Sequence, residues 1–210
     1  MNPFDPQSTA TAADEAAPKF AHQEPLWLSP VSFWPRAGAR IIDILVVIVP
    51  AFIMGVLVAI ILAVLATVGI IDAGWEDRMD KATLLSKILF ALALVAYHAA
   101  SEAIGGATIG KLALGLRVCS PDGTACTVGG AIIRSFAFLI DQLFFGIVAY
   151  SKMSKSPLAQ RFGDDWGNTV VVRASSLPTR APGGRVALGI VVGLAMYCAV
   201  AFVTLLIDAF

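Results

Sequence analysis

The sequence is poor in charged residues and in the residue types that build disulfide-linked or metal-dependent proteins. Charged residues make up 14% of its 210 positions, whereas soluble domains contain about 25%. Three cysteines are too few for a disulfide framework. One of the two histidines lies in a polar N-terminal tail, so we predict no metal site and no cofactor. The formal net charge of 0 gives no indication of a nucleic-acid partner.

Apolar residues, in contrast, are abundant and continuous. They make up 58% of the chain, against roughly 45–50% in soluble domains. They form runs at 41–71, 84–100, 131–150 and 186–207, and about 20 apolar residues are enough for a helix to cross a bilayer. The sequence therefore predicts an all-α polytopic membrane protein in a lipid bilayer, with three or four membrane helices.

The same features divide the chain into four parts. Residues 1–30 are rich in Pro, Ala, Ser and Thr without periodicity, which predicts a disordered tail. Residues 31–173 contain the first three apolar runs and form the predicted membrane domain. Residues 174–185 are a polar linker, and residues 186–210 add a C-terminal transmembrane helix.

The segment 131–150 decides whether the chain crosses the membrane three or four times. The following segment, 151–185, carries six Lys and Arg residues, and such loops favour the cytoplasmic side. Four straight spans place this basic segment outside. A re-entrant 131–150, with its turn at 141–146, keeps it in the cytoplasm together with the N-terminus. We favour the re-entrant interpretation, and four straight spans are the alternative.

A small β element is predicted between the second and third apolar runs. Residues 116–119 and 125–128 flank the turn sequence Ser-Pro-Asp-Gly-Thr, which predicts a cytoplasmic β-hairpin. A further strand at 169–172 can pair with a strand at 115–119 only if both lie in the cytoplasm.

Two apolar runs open with the same charged pattern, R-x-x-A-x-x-I-D. It occurs from Arg36 to Asp43 and again from Arg134 to Asp141. A spacing of seven returns to nearly the same helix face, so each Asp lies about 10 Å deeper than its Arg. Ionisable groups at mid-membrane cost about 2.5–3.5 kcal/mol each. They are retained when they form pairs or take part in function.

These charges support two hypotheses. In the first, the chain is a small cation or proton transporter in which Asp43 and Asp141 bind a proton or monovalent cation. Arg36, Arg40 and Arg134 position the carboxylates, and Arg40 can also pair locally with Asp43. In the second, the chain is a non-catalytic membrane scaffold or assembly factor, and the same Arg–Asp pairs are structural clamps.

Other residues are assigned within these two hypotheses. His98 and Glu102 are four residues apart on one helix face, and in the transporter they form a proton relay or gate. A transporter this small must oligomerise, for which Gly189 and Gly193 offer a G-x-x-x-G pattern; packing within the chain is equally compatible with it. In the scaffold, the segments around the β element dock a membrane protein partner.

We expect no enzymatic activity. The sequence from Gly105 to Lys111 matches G-x-x-x-x-G-K, but Leu112 stands where a phosphate loop needs Ser or Thr. Gly163-Asp164-Asp165 has polar neighbours, unlike the buried aspartates of an intramembrane protease.

Three motifs, in order, resemble the RDD family of membrane proteins, which is named for one Arg and two Asp residues. They are Phe33-Trp34-x-Arg36-x-x-Ala39-x-x-Ile42-Asp43, then Glu102-x-x-x-Gly106-x-Thr108-x-Gly110-Lys111-x-x-x-Gly115-x-Arg117-Val118, then Gln160-Arg161-x-Gly163-Asp164 with Gly167-x-Thr169-x-Val171. They cover roughly residues 31–173.

The resemblance implies that Arg36 and Asp43 are the family's Arg and first Asp, and that Asp141 or Asp164 is the second. It implies a bacterial cytoplasmic membrane protein. Some members are associated with sodium–proton exchange, and eukaryotic relatives act as assembly partners in membrane complexes. The resemblance is therefore compatible with both hypotheses.

Overall fold

The computed structural model describes residues 29–72, 74–75, 77, 84–141, 146–178 and 181–209. The predicted tail lies outside the described residues up to position 28. The main elements in the described part of the chain are seven α-helices and two strands, and a short 3-10 helix, Ala174–Ser176, follows the second strand. They are α1 Phe33–Thr67, α2 Leu84–Gly105, α3 Ile109–Ala113, β1 Leu116–Cys119, α4 Val128–Asp141, α5 Ile147–Lys155, α6 Phe162–Trp166, β2 Val170–Arg173 and α7 Gly183–Ala209.

Three helices, α1, α2 and α7, are long and apolar enough to cross a membrane. Their outward faces expose large apolar side chains, such as Phe52 at 71% and Val191 at 62%. Such exposure suits a lipid environment and is costly in water. The chain is therefore a multi-pass membrane protein, and the predicted helical fold is confirmed.

The run 131–150 does not form a fourth straight span. It is divided between α4, with 14 residues, and α5, with 9 residues. Gly146 precedes α5 with a φ of +83°, a left-handed conformation that interrupts a helix. The predicted turn lies between these helices, although residues 142–145 lie outside the described residues. Each helix is shorter than the roughly 20 residues a span requires.

The predicted small β element is confirmed, but of the predicted hairpin only one bridge, between Cys119 and Ala125, is present. The sheet itself is formed with the further predicted strand near residues 169–172. β1 pairs antiparallel with β2, so that Leu116 lies opposite Arg173. The predicted turn forms, because Asp122 accepts a hydrogen bond from the Thr124 amide at 2.9 Å. The chain beyond it then starts a helix instead of a strand: the Thr127 hydroxyl accepts the Gly130 amide at 3.0 Å at the beginning of α4.

The two-stranded sheet ties the start of α1 to the rest of the molecule. Pro30 forms a bridge with Val172, and the Val31 amide donates to the Val171 carbonyl at 3.0 Å. Gly115, with a φ of +64°, turns the chain from α3 into β1. This conformation is accessible to Gly without the strain that a side chain brings. The sheet thus fixes the position of the N-terminal end of α1.

The G-x-x-x-G pattern in α7 packs against α2 within the same chain. A Cβ on Gly189 would lie 2.8 Å from the Gly105 amide nitrogen, and one on Gly193 would lie 2.7 Å from the Tyr97 carbonyl oxygen. α7 begins at Gly183, inside the segment predicted as linker, and runs antiparallel to α2. At its far end the Ser86 hydroxyl bonds the Asp208 carboxylate. The glycines therefore serve helix packing inside the chain.

Candidate functional site

Asp43 is held by three donors from two other elements. Its Oδ1 accepts the Gly110 amide at 2.7 Å and the Tyr97 hydroxyl at 3.0 Å, and its Oδ2 accepts the Thr108 hydroxyl at 2.6 Å. The residue is 2% exposed. This carboxylate therefore fastens α1 to α2 and to the start of α3.

The close approach of α3 to α1 depends on Gly110. A Cβ at this position would lie 1.9 Å from the Ala39 carbonyl oxygen and 2.9 Å from the Asp43 carboxylate carbon. Only a residue without a side chain allows the Gly110 amide to reach Asp43. Thr108 caps the N-terminus of the same helix, accepting the Lys111 amide at 3.4 Å.

Asp164 lies at the centre of a second, larger cluster. Arg36 Nη1 is 2.5 Å from Oδ2, Arg134 Nη2 is 2.8 Å from Oδ1, and Arg161 Nε is 3.6 Å from Oδ2. The Asp164 side chain is fully buried. Burial by itself raises its pKa, but the guanidiniums of Arg134, Arg161 and Arg36 more than reverse this and hold the pKa well below the usual range. Asp164 therefore stays charged and joins α1, α4 and α6.

Glu102 forms a third cluster with two cations. It contacts the Lys111 ammonium, and Arg134 Nη1 lies 3.1 Å from its Oε2. Arg134 thus lies between Glu102 and Asp164 and is only 1% exposed. For Lys111 the largest influence is burial, which lowers its pKa, and Glu102 opposes this shift. The Glu102 carboxylate is therefore engaged with cations at the end of α2.

Arg40 does not pair with Asp43 through a hydrogen bond, contrary to the local pairing expected from the sequence. Its Nη1 contacts His98 Nε2, and its guanidinium carbon lies 3.8 Å from the ring centroid of Phe138. Arg40 is held between α2 and α4 because the imidazole and the aromatic face both lie within its reach. Asp43 acts on Arg40 only through its charge.

Asp141 differs from the other buried carboxylates. It is 2% exposed, and among the described residues its only hydrogen-bond donor from the backbone is a weak one, the Gly163 amide. Arg161 Nε lies 3.7 Å from Oδ2. Burial raises the pKa of Asp141, and the Asp164 carboxylate adds to the rise, while Arg161 opposes it. Asp141 is thus a buried carboxylate that its surroundings favour in the protonated form.

Asp43 and Asp141 are not brought together. Asp43 is held by Gly110, Tyr97 and Thr108, whereas the charged groups that act most strongly on Asp141 are Arg161 and Asp164. The acidic neighbour that influences Asp141 is Asp164. The sequence repeat therefore places two similar Arg–Asp patterns in two different environments.

A cavity of about 480 Å³ lies between α1, α2, α4 and α5. Phe33, Ile41, Ile44, Ala91, Leu94 and Leu139 are among its apolar wall residues. Its charged and titratable wall residues are Arg36, Arg40, His98, Glu102, Lys111, Arg134, Asp141 and Arg161. The volume is within the range of roughly 300–1,000 Å³ of small-molecule sites. The cavity therefore collects all of the predicted ion-binding and positioning residues except Asp43, which lies outside its wall.

Residues 30–209 match the RDD family. The chain belongs to the RDD family. The match includes α7 and so continues beyond residue 173, where the three sequence motifs end. No curated protein and no solved structure matches the chain.

The RDD motif residues lie in the clusters and in the turns that position them. Gly163 lets α6 approach α4, since a Cβ there would lie 3.0 Å from both the Arg134 carbonyl and the Ala137 side chain. Gly106, with a φ of +70°, accepts the Val118 amide at 2.8 Å. The buried Thr169 donates its amide to the Asp164 carbonyl at 2.8 Å.

Sequence reasoning missed two residues of this RDD site. Tyr97 holds Asp43 and accepts the Ile109 amide at 3.2 Å, and Phe138 receives the Arg40 guanidinium. Tyr97 carried a usable signal, because a phenol one turn before Ser101 and Glu102 lies on the polar side of α2. Phe138 carried none, since an aromatic residue in an apolar helix is ordinary.

Proposed function

We propose that this RDD-family chain is a non-enzymatic membrane protein that binds an anionic ligand in the charged cavity, while its Asp43 and Asp164 clusters act as structural clamps. This combines the clamp interpretation of the charges with a binding role for the cavity. Most of the chain's Lys and Arg residues lie at the charged end of the molecule, and segments rich in Lys and Arg favour the cytoplasmic side of a membrane. We therefore place this end in the bacterial cytoplasm.

The observation that carries the proposal is the excess of basic groups in the cavity wall. Five basic side chains face two acidic ones, Glu102 and Asp141. When Asp43 and Asp164, which are not part of the wall, are counted as well, the basic groups remain in the majority. An electropositive cavity with low-dielectric walls attracts anions and repels metal cations.

The clamp assignment rests on how completely Asp43 and Asp164 are used. Asp43 accepts three hydrogen bonds, and Asp164 lies within 3.6 Å of three guanidiniums. A carboxylate in such a setting has no oxygen left for a transported ion. Removing one partner of a buried charge cluster costs about 3–5 kcal/mol, because the remaining charges lose their compensation.

Binding of inorganic phosphate to the purified full chain in neutral detergent tests this function. At constant ionic strength we expect phosphate to raise the melting temperature in a saturable way. Arg40→Gln should abolish the rise, and Arg173→Gln, an exposed residue of β2 outside the cavity, should retain it. An equal rise in both variants, or none in the wild type, would contradict anion binding in this cavity.

Cation–proton exchange is the second candidate function, and one observation favours it. Asp141 is buried in the cavity wall, and among the described residues it is held only weakly, by the Gly163 amide and by Arg161 Nε at 3.7 Å. Proteoliposomes with an internal pH dye, tested with sodium, potassium and lithium, distinguish this function. If exchange occurs, Asp141→Asn should abolish it in a protein that remains folded. Wild-type protein that produces no cation-dependent pH change would exclude this candidate.

A further inference from the structure

The cavity has a charged end and an apolar end, and the two are separated along the helices. Arg36 and Ile44 are eight residues apart on α1, which corresponds to about 12 Å along the helix axis. On α2, His98 and Ala91 are seven residues apart, or about 10 Å. All four residues line the cavity. Its polarity therefore changes from charged to apolar over a distance of roughly two helical turns.

The charged end offers hydrogen-bond donors that nothing in the described chain uses. Arg36 Nη2 and Arg40 Nε are buried and have no partner. The Arg36 side chain is 7% exposed, and its other two nitrogens are occupied by the Val31 carbonyl and Asp164. A buried guanidinium donor without an acceptor is unfavourable. An anionic oxygen in the cavity would satisfy such donors.

The apolar end reaches the outer surface of the helices. Ile41, Ile44 and Leu139 line the cavity and are also 60%, 41% and 49% exposed, respectively. All three lie on α1 or α4. A ligand in this cavity can therefore extend an apolar chain sideways between α1 and α4 into the lipid.

We propose that the ligand of this cavity is an anionic lipid, with its phosphate group at Arg36 and Arg40 and its acyl chains leaving past Ile44 and Leu139. This inference rests on the proposed anion-binding function and specifies the class of anion. A free phosphate offers the same head chemistry but leaves the apolar half of the cavity unfilled. The lipid satisfies both halves, because its polarity changes over the same distance.

Native mass spectrometry of the full chain in neutral detergent, titrated with phosphatidylglycerol, tests the proposal. The comparison ligands are phosphatidylcholine and inorganic phosphate. We expect one saturable phosphatidylglycerol site, with phosphatidylcholine binding at least about tenfold more weakly. Arg40→Gln should weaken phosphatidylglycerol binding by about tenfold or more, as expected for a lost charge-assisted hydrogen bond. Arg173→Gln should leave the affinity unchanged.

A second pair of variants distinguishes a lipid from a free anion. Ala91→Trp fills the apolar end without removing a charge, so it should weaken phosphatidylglycerol at least about tenfold and leave phosphate binding intact. Leu92→Trp is the matched control, because Leu92 is exposed on the same helix and lies outside the cavity. Ala91→Trp also keeps the test informative if Arg40→Gln does not fold.

Each other outcome overturns a defined part of the argument. Phosphate binding that depends on Arg40, without competing lipid binding, would overturn the lipid proposal and leave anion binding intact. Phosphatidylglycerol binding that is insensitive to both Arg40→Gln and Ala91→Trp would indicate general lipid contact around the helices and overturn the proposal. If the wild type binds neither phosphatidylglycerol nor phosphate, both the proposed function and this inference are overturned.

Discussion

Replacing Asp43 tests whether the first cluster is a structural clamp. Asp43→Ala would leave the Gly110 amide without an acceptor and would remove the acceptor of the Tyr97 and Thr108 hydroxyl protons. Those hydroxyls also accept the Ile109 and Lys111 amides, but these bonds use their oxygen lone pairs and do not replace the lost acceptor of their protons. Each unsatisfied buried donor costs about 1–3 kcal/mol. Because the three losses are not additive, we expect a total of about 3–5 kcal/mol.

Asp43→Asn should cost less, about 1–2 kcal/mol. An Asn side-chain oxygen in place of Oδ1 would still accept the Gly110 amide and the Tyr97 hydroxyl. Its amino group would replace the acceptor of the Thr108 hydroxyl, so one bond is lost and the remaining two lose their charge assistance. Asp43→Ala is therefore expected to destabilise the protein more than Asp43→Asn, because two of the three donors bond the oxygen that Asn retains.

Unfolding of the purified protein in mixed micelles by added sodium dodecyl sulfate, followed by tryptophan fluorescence, measures these costs. Asp165→Ala is the matched control, because Asp165 is 51% exposed and pairs with Lys152 at 2.9 Å at the surface. Such a pair contributes about 0–1 kcal/mol. If Asp43→Ala costs no more than this control, the three hydrogen bonds do not stabilise the fold and the clamp assignment is wrong.

Three further predictions concern other contacts. Gly110→Ala should destabilise by about 2–4 kcal/mol in the same micelle assay, because its Cβ would displace α3 from α1; Gly129→Ala, which has no neighbour within 4 Å, should be neutral, and equal costs would refute the packing argument. Gly193→Leu should separate α7 from α2 and lower the melting temperature without changing the oligomeric state by light scattering; a shift from oligomer to monomer would instead support assembly through this helix. The raised pKa of Asp141 means that the native state holds this proton more tightly than the unfolded chain. The stability that this bound proton contributes is complete below the unfolded pKa of about 3.9. It is lost as the pH rises through the native pKa of Asp141. In unfolding titrations at a series of pH values above 3.9, the wild type should therefore lose stability that Asp141→Asn does not lose. If the two proteins show the same dependence of stability on pH, Asp141 does not titrate as argued.

The number of membrane helices and the identity of the charged residues could be predicted from the sequence. Apolar runs longer than a bilayer requires are a local property, so α1, α2 and α7 follow from composition alone. The excess of Lys and Arg after α4 was enough to favour a re-entrant segment over a fourth span. The sequence also offered residues 169–172 as a partner for the strand at 115–119, on the condition that both lie on the same side of the membrane.

The partners of the charges were decided only by the tertiary structure. The two R-x-x-A-x-x-I-D patterns are alike in sequence, yet Asp43 is held by α2 and α3 while Asp141 lies in the cavity wall. Asp164 joins three arginines because Gly163 lets α6 approach α4. Helical periodicity defines which residues share a face, but it contains no information about which face of another helix lies opposite. That choice depends on close approaches between residues far apart in the chain, as at Gly110 and Ala39, and these arise only when the whole chain packs.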